Sequence, residues 1–231
     1  MNRSARYAKA ANALFEAWEE KEIHAGRSFI RDGIINPAQW FSQDIRPLFL
    51  LKEAYDKEGT GGWDLTEEHN CDQGNRDQPQ KRTTWPNLSR WSYGIFETTK
   101  DKTAPYMELP DFHKKRNRYL QRIAVVNVKK SGGKTQSKMS DLKLYARVDR
   151  DELLAQIELI DPTIIICGYT FSLLEIIIDP QRKIKRNDEW IYCLTIAGKT
   201  IPVIDFYHPS YRRSKIALFE KLMEVYRKTI P

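Results

Sequence analysis

The sequence predicts an α/β fold, a three-layer α/β/α sandwich around a mostly parallel sheet of four or five strands. Short apolar runs bounded by glycine, proline or polar residues recur along the 231 residues, and helical patterns separate them. A chain of this length can bury a sizeable core. We expect one domain over residues 1–231, with an N-terminal helical segment at 1–45 and an insertion or lid at 66–118.

The first half of the chain supplies a helix, a strand and the insertion. Apolar residues recur at helical spacing over 4–23, and the run 47–51 is a short buried strand bounded by a proline. The glycine-rich segment 59–63 marks a loop where the backbone bends or a ligand approaches. Residues 66–118 are polar with interleaved aromatics, which predicts a largely helical insertion whose aromatic residues form a small core of their own.

The second half continues the alternation of strands and helices. The patterns predict, in order, a strand at 123–128, a flexible basic loop at 129–135, a helix at 151–160, a strand at 163–168, a helix at 171–178, two runs at 190–196 and 201–204 that form a hairpin or successive strands, and a last helix at 215–229. Strands that alternate with helices favour a layered sheet.

The composition of the chain indicates which partners, cofactors and compartment to expect. The chain has 38 Lys and Arg against 31 Asp and Glu, a net charge of +7, which suits phosphate-bearing partners. Its three cysteines, Cys71, Cys167 and Cys193, are far apart and form no CxxC pair or zinc spacing. No apolar run approaches the ~18 residues that a membrane span needs. We expect a cytoplasmic monomer without metal or organic cofactor.

Polar side chains follow three of the predicted strands. Glu53 follows the first, Asn127 lies at the end of the second, and His208 and Ser210 follow the last on a proline-fixed turn. Sites in α/β sheets form at the carboxyl ends of the strands. We therefore expect Glu53, Asn127 and His208 to surround one pocket, with Trp63 as an aromatic plate beside it.

Basic residues flank the same strand ends. Lys129, Lys130 and Lys134 lie in the predicted basic loop, and Arg212 and Arg213 follow the His-Pro-Ser turn. Clustered cations of this kind bind nucleic-acid phosphates. We expect them to form a phosphate-binding rim, with Ser210 holding a further phosphate.

Four segments carry a family pattern. They are Lys52-Glu53-Ala54-Tyr55-Asp56 after the first strand, Val126-Asn127-Val128-Lys129-Lys130 in the second, the helix and strand over 153–168, and Tyr207-His208-Pro209-Ser210-Tyr211. This pattern resembles the uracil-DNA glycosylase superfamily, most closely the branch that usually carries an iron–sulfur cluster. The last motif is unchanged, and the first departs from the family's Gly-Glu-Ala-Pro-Gly. The cluster cysteines are absent, so we expect no iron–sulfur centre.

The resemblance implies a monofunctional DNA glycosylase that acts on a flipped nucleotide. Glu53 would orient or deprotonate water and stabilise the cationic sugar, and Asn127 would read the base edge. Trp63 would stack on the base. His208 would stabilise charge on the departing base, either as a neutral donor or as a cation.

The register of the first motif leaves the role of Tyr55 open. In one alignment Glu53 matches the family's own glutamate. In the other, shifted by one residue, Glu53 takes the place of a water-activating aspartate, and Tyr55 takes that of a tyrosine that excludes 5-substituted pyrimidines. Both alignments select Glu53 as the carboxylate.

Other functions stay open at this stage. The long aromatic insertion and the altered first motif are compatible with a glycosylase for bulky modified cytosines in viral DNA, which would serve defence. A lyase would need an amine nucleophile, and Lys52 and Lys129 are the candidates. The domain could also bind nucleic acid without catalysis, or hydrolyse free nucleosides, although the double arginine argues for a polymeric substrate.

Overall fold

A seven-stranded mixed sheet with helices on both faces forms the framework. The computed structural model describes residues 1–56, 59, 61–69, 84–107, 118–133, 136–178 and 184–230. The strands are β1 Gly33–Ile34, β2 Pro47–Tyr55, β3 Ala124–Gly133, β4 Ile164–Gly168, β5 Lys185–Arg186, β6 Ile191–Ile196 and β7 Lys199–Phe206. The helices are α1 Arg3–Glu19, α2 Pro37–Phe41, α3 Leu65–His69, α4 Thr84–Glu97, α5 Met139–Val148, α6 Arg150–Ile160, α7 Phe171–Ile177 and α8 Lys215–Arg227, with a 3-10 turn at Glu22–His24.

The strand order is β1-β3-β2-β4-β7-β6-β5. The four central strands, β3, β2, β4 and β7, are parallel, whereas β1, β6 and β5 pair antiparallel with their neighbours. The predicted α/β class is confirmed. The predicted four or five strands and mostly parallel sheet are wrong, because β1 and β5 have only two residues each and are too short for a periodic pattern.

The parallel block accounts for four of the predicted strands, and a hairpin accounts for the fifth. Strands β6 and β7 pair from Ile191↔Ile204 to Ile196↔Lys199. Ala197 and Gly198 turn the chain with φ of 47° and 75°, as a two-residue hairpin turn with positive φ at both positions requires. Of the two arrangements that the sequence left open, the structure has the hairpin.

Alternate residues of the central strands feed two separate core clusters. Leu48 and Leu50 of β2 join the cluster that helices α1, α5, α6 and α7 cover, and Phe49 and Leu51 join the cluster that α4 and α8 cover. This alternation follows from the pleat of a strand that is buried on both faces. Helix α5, which the sequence analysis did not predict, therefore closes part of the first face.

Helix α4 lies inside the predicted insertion and belongs to the main core. The ring centroid of Trp91 lies 6.4 Å from that of Phe49 and 5.5 Å from that of Phe206, and both of these partners are on the sheet. Gly94 faces α8 so closely that a Cβ there would lie 2.3 Å from the sulfur of Met223. The expectation that the insertion's aromatics form a core of their own is wrong for these residues, because the second face of the sheet has to be covered. Residues 70–83 and 108–117 of the insertion lie outside the described residues.

Strand β3 is longer than the sequence indicates. It continues through Lys129 and Lys130 to Gly133, with Glu53↔Lys129 and Tyr55↔Gly133 as partners on β2. The predicted flexible loop is therefore wrong over 129–133, and 134–135 lie outside the described residues. Within the described part of the chain, no helix is both long and apolar enough to cross a membrane.

Candidate active site

The carboxyl ends of β2, β4 and β7 lie side by side and carry the candidate site. Lys52 and Glu53 occupy the end of β2, Tyr169 follows β4, and His208 follows β7. Because the three strands are parallel neighbours, their ends meet at one edge of the sheet. The backbones of Glu53 and His208 therefore lie at the carboxyl end of the same block of parallel strands.

Glu53 is held against the neighbouring strand β3. Its Oε2 lies 3.1 Å from the ammonium of Lys129, and only 6% of its side chain is exposed. The neighbouring strand leaves space because a Cβ on Gly133 would lie 2.2 Å from the Glu53 carboxyl carbon. Lys129 also donates to Asp141 of α5 at 2.8 Å. The carboxylate is therefore fixed in place by a cation that itself has two anionic partners.

His208 is arranged as a neutral hydrogen-bond donor. The backbone N–H of Ser210 donates to Nδ1 of His208 at 3.2 Å, and the Ser210 hydroxyl lies 2.8 Å from the same nitrogen. Burial, with a smaller effect from the charge of Lys52, lowers the pKa of His208 from 6.5 to about 4. Since Nδ1 accepts a hydrogen bond, the single ring proton of the neutral form is on Nε2.

The His-Pro-Ser turn is supported from two sides. Asn87 of α4 donates from Nδ2 to the carbonyl oxygen of Pro209 at 2.6 Å. On the strand side, a Cβ on Gly168 would lie 3.3 Å from Pro209 and 2.6 Å from Leu51. The insertion helix and the sheet together therefore set the position of His208.

Lys52 interacts electrostatically with both candidate catalytic groups. Its ammonium is 4.7 Å from the ring centroid of Tyr169, and it is within electrostatic range of both Glu53 and His208. Burial lowers the pKa of Lys52, and the charge of Glu53 offsets only part of that shift. Tyr169 is 61% exposed and has φ of 60°, in the left-handed region that a tyrosine rarely occupies. Backbone strain of this kind concentrates at functional sites.

Asn127 does not lie at a strand end, which corrects the prediction. It is buried in the middle of β3 opposite Leu51. Its backbone N–H and its Nδ2 both donate to Oδ2 of Asp32, at 2.8 and 3.1 Å. The side-chain amide is thus oriented by Asp32, and Asn127 joins a buried network rather than the Glu53–His208 edge.

Lys130 is the centre of that buried network, and its predicted place on a phosphate-binding rim is wrong. Its fully buried ammonium pairs with Oδ1 of Asp32 and donates to Oε1 of Gln156 at 2.9 Å. Gln156 in turn donates to Oδ1 and to the carbonyl of Asp32, at 2.9 and 3.0 Å. Burial lowers the pKa of Lys130, and Asp32 opposes that effect. The ammonium has no path to a phosphate while this pair is closed.

Asp56 organises the glycine loop after β2. It accepts from the backbone of Gly59 at 3.1 Å and of Gly61 at 2.8 Å. Gly61 has φ of 44° and approaches Ser28 so closely that a Cβ would lie 1.7 Å from that side chain. Trp63 follows this loop.

The two predicted base-binding aromatics lie on either side of this loop. Tyr55, the last residue of β2, and Trp63 are both partly buried, and Trp63 packs against the second core cluster. Neither residue has a described contact with Glu53 or His208, so their base-binding roles stay predictions.

The remaining predicted phosphate ligands are exposed. Ser210, Arg212 and Arg213 lie on the surface just after His208, and Arg213 sits 5.7 Å from the ring centroid of Tyr207. Tyr211 stacks on Tyr207 with centroids 4.8 Å apart and is 47% exposed. Residues 210–213 therefore face solvent. Lys134 lies outside the described residues.

Three residues of this region escaped the sequence analysis. Asp32 and Asn87 are distant in sequence from the groups that they hold, and no local pattern marks them. Tyr169 carries a detectable signal, because it directly follows the third apolar run at a strand end.

Among the described residues, no group of three or more His, Cys, Asp or Glu side chains is placed to hold a metal ion. No family model matches this chain, and no curated protein matches it significantly.

Proposed function

We propose that the protein is a DNA glycosylase that flips uracil or a modified pyrimidine out of DNA and hydrolyses its glycosidic bond. The observation that carries the proposal is the carboxyl end of the parallel strands, where a carboxylate fixed by Lys129 on Glu53 and a neutral imidazole on His208 both interact electrostatically with Lys52. A glycosidic bond inside a duplex is out of reach of side chains, so the nucleotide has to be extruded first.

Glu53 is proposed to act on water and on the sugar. Its carboxylate orients or deprotonates the attacking water and stabilises the positive charge that develops as the base leaves. The contact with Lys129 fixes the position of that carboxylate. A fixed group needs no reorganisation as the reaction proceeds, which is the basis of electrostatic catalysis.

His208 is proposed to act on the departing base as a neutral donor. With a pKa of about 4 it is uncharged near pH 7, and its Nε2–H is the available donor. A hydrogen bond to a pyrimidine oxygen strengthens as negative charge builds up on the leaving base. Of the two forms that the sequence left open, the geometry supports the neutral one.

DNA binding is proposed to use the exposed segment after His208. Ser210, Arg212 and Arg213 contact phosphates, and Tyr211 fills the gap left by the flipped base or clamps the strand. Trp63 stacks on the base.

We also infer the broader setting from these features. The helices on both faces of the sheet suggest the three-layer α/β/α sandwich expected from the sequence, and the exposed cations suggest DNA as the partner. We propose that the chain acts as a monomer in the cytoplasm without a cofactor.

A second candidate is excision of a bulky modified cytosine from viral DNA. The observation that favours it is the contact of Asn87 with Pro209, because it sets helix α4 of the aromatic insertion beside the His208 turn. An insertion in this position can cover a large base substituent. The chemistry at Glu53 and His208 is the same for both substrates.

The decisive test is incubation with oligonucleotides that carry uracil, hypoxanthine or modified cytosines, together with viral DNA that contains modified bases. Alkaline cleavage then reports abasic sites. Release of uracil alone supports the first candidate, and release of modified cytosines supports the second. If no base is released from any substrate, the remaining interpretation is a module that binds nucleic acid without catalysis.

A substitution at Tyr55 distinguishes a tight base pocket from an open one. If its ring closes the wall beside the pyrimidine 5-position, Tyr55→Ala gains activity on 5-substituted bases, because a thymine methyl is the group that the wall excludes. If its ring points away, selectivity is unchanged. The ratio of release rates from uracil and thymine substrates measures the difference.

A further inference from the structure

Among the described residues, Lys52 differs from the two other lysines of the site in having no carboxylate within ion-pair distance. Its ammonium contacts the ring of Tyr169, and it makes no ion pair or hydrogen bond within the described residues. Lys129, in contrast, lies 2.8 Å from Asp141 and 3.1 Å from Glu53. Lys130 is paired with the carboxylate of Asp32.

The protonation states follow these surroundings. Burial acts to lower the pKa of Lys129, but its bonds to Asp141 and Glu53 outweigh burial and raise that pKa. Burial lowers the pKa of Lys52, and no ion pair restores it. A larger share of Lys52 is therefore the neutral amine, the form that acts as a nucleophile.

Access separates Lys52 from Lys130. Burial also lowers the pKa of Lys130, but its side chain is fully enclosed. Lys52 is only partly buried and lies at the strand edge that carries Glu53 and His208. It is the one lysine of these three that is both poorly paired and reachable.

We propose that Lys52 is the nucleophile of an abasic-site lyase activity, forming an imine with the sugar that base excision leaves behind. The proposal rests on the proposed glycosylase function in that the abasic sugar is its product. The ring-opened sugar has an aldehyde at C1′, and a neutral amine at the strand edge adds to it.

The steps need no oxidant or reductant. The Nζ–C1′ bond forms to give a carbinolamine, whose hydroxyl takes up a proton from solvent and leaves as water, which gives a protonated imine. A base, for which we assign the Glu53 carboxylate, takes a proton from C2′, and the electron pair expels the 3′ phosphate as the C3′–O bond breaks. Water then hydrolyses the unsaturated imine and restores the Lys52 amine.

The test uses DNA in which the abasic site is prepared beforehand, so it does not depend on base excision by this protein. Incubation with cyanoborohydride reduces an imine to a stable amine, and we expect a covalent protein–DNA adduct whose peptide map assigns it to Lys52. Lys52→Arg keeps the positive charge but removes the nucleophile, so the adduct should be lost. Lys9→Arg, on the exposed surface of helix α1 and away from the site, is the control and should retain it.

Three outcomes would overturn the proposal: no adduct with the unmodified protein, an adduct mapped to another amine, or an undiminished adduct in Lys52→Arg. The peptide map of the unmodified protein keeps the test decisive even if a variant folds poorly. If the protein releases bases but forms no trapped adduct, only the lyase proposal fails. If it forms the trapped adduct but releases no base, only the glycosylase proposal fails.

Discussion

The candidate site at the carboxyl ends of the parallel strands has one side towards β3 and one side towards β7. Positive charge is compensated differently on these two sides. On the β3 side, Lys129 pairs with Asp141, 12 positions further along the chain, and Lys130 pairs with Asp32, 98 positions away. On the β7 side, Lys52 at the end of β2 contacts the ring of Tyr169 and makes no ion pair within the described residues, and burial keeps His208 uncharged near pH 7.

The difference indicates which side is free to act. A phosphate that approaches the β3 side has to displace existing carboxylates, and one of them is the proposed catalytic Glu53. The β7 side offers a donor, an amine and exposed arginines without that competition. We infer that the β3 side positions catalytic groups and that the β7 side meets DNA.

The largest effect is expected from Glu53→Gln. This change keeps the shape of the side chain but removes its charge, so base release should slow by about a hundred- to ten-thousandfold. Single-turnover release from a uracil oligonucleotide measures the loss. Asp141→Asn is the matched control, because it removes the other partner of Lys129 and leaves Glu53 intact. An equal loss in both variants would mean that the ion pair, rather than the Glu53 carboxylate, is what the reaction needs.

Much of the β7 side could be predicted from the sequence. The run 201–204 is apolar, a proline fixes the turn after it, and His208 and Ser210 lie within that turn, so local chemistry determines their placement. The parallel strands were predictable for the same reason, since each is a continuous apolar run buried on both faces.

The β3 side could not be predicted in this way. Polar residues such as Asn127 and Lys130 normally end a buried strand, but here they continue it because Asp32 satisfies both. Asp32 is 95 positions away from Asn127 in the sequence, so no local pattern links them. Long-range pairing of buried polar groups is the information that a single sequence lacks.

Breaking the buried pair should cause the next largest effect. Asp32→Ala leaves the Lys130 ammonium buried without a counter-ion, and we expect a loss of about 3 to 5 kcal/mol in the free energy of unfolding. Urea denaturation measures it. Asp141→Ala is the contrast, because Lys129 keeps Glu53 and the pair is partly solvated; a loss below about 1 kcal/mol is expected there.

A double substitution tests the cause of that loss. Asp32→Leu with Lys130→Met removes both charges and should recover most of the stability, since no unpaired ion remains. If the double variant is as unstable as Asp32→Ala, then the hydrogen bonds to Asn127 and Gln156 are the dominant contribution instead.

The free energy of unfolding should depend on pH through His208, because its ring is held neutral in the folded protein. Its pKa in the folded protein, about 4, is below the ordinary 6.5, so the unfolded chain binds more protons between these values. The stability that the neutral ring contributes is complete above pH 6.5 and is lost as the pH falls towards 4. His208→Gln has no ring to protonate, and its unfolding free energy should therefore decline less than that of the unmodified protein across this interval. Parallel declines would show that His208 is not held neutral.

The smallest effect is expected in the salt dependence of DNA binding. It tests directly whether the β7 side contacts phosphates and the β3 side does not. Arg212→Gln and Arg213→Gln should each reduce the slope of log K against log salt by about one, because each removes one phosphate contact. Lys129→Gln should reduce it by less, since carboxylates already neutralise that cation. Lys9→Gln, on the exposed surface of helix α1, is the control for general charge loss. If Lys129→Gln matches the arginine variants, the ion pairs of the β3 side open when DNA binds, and both sides contact the backbone.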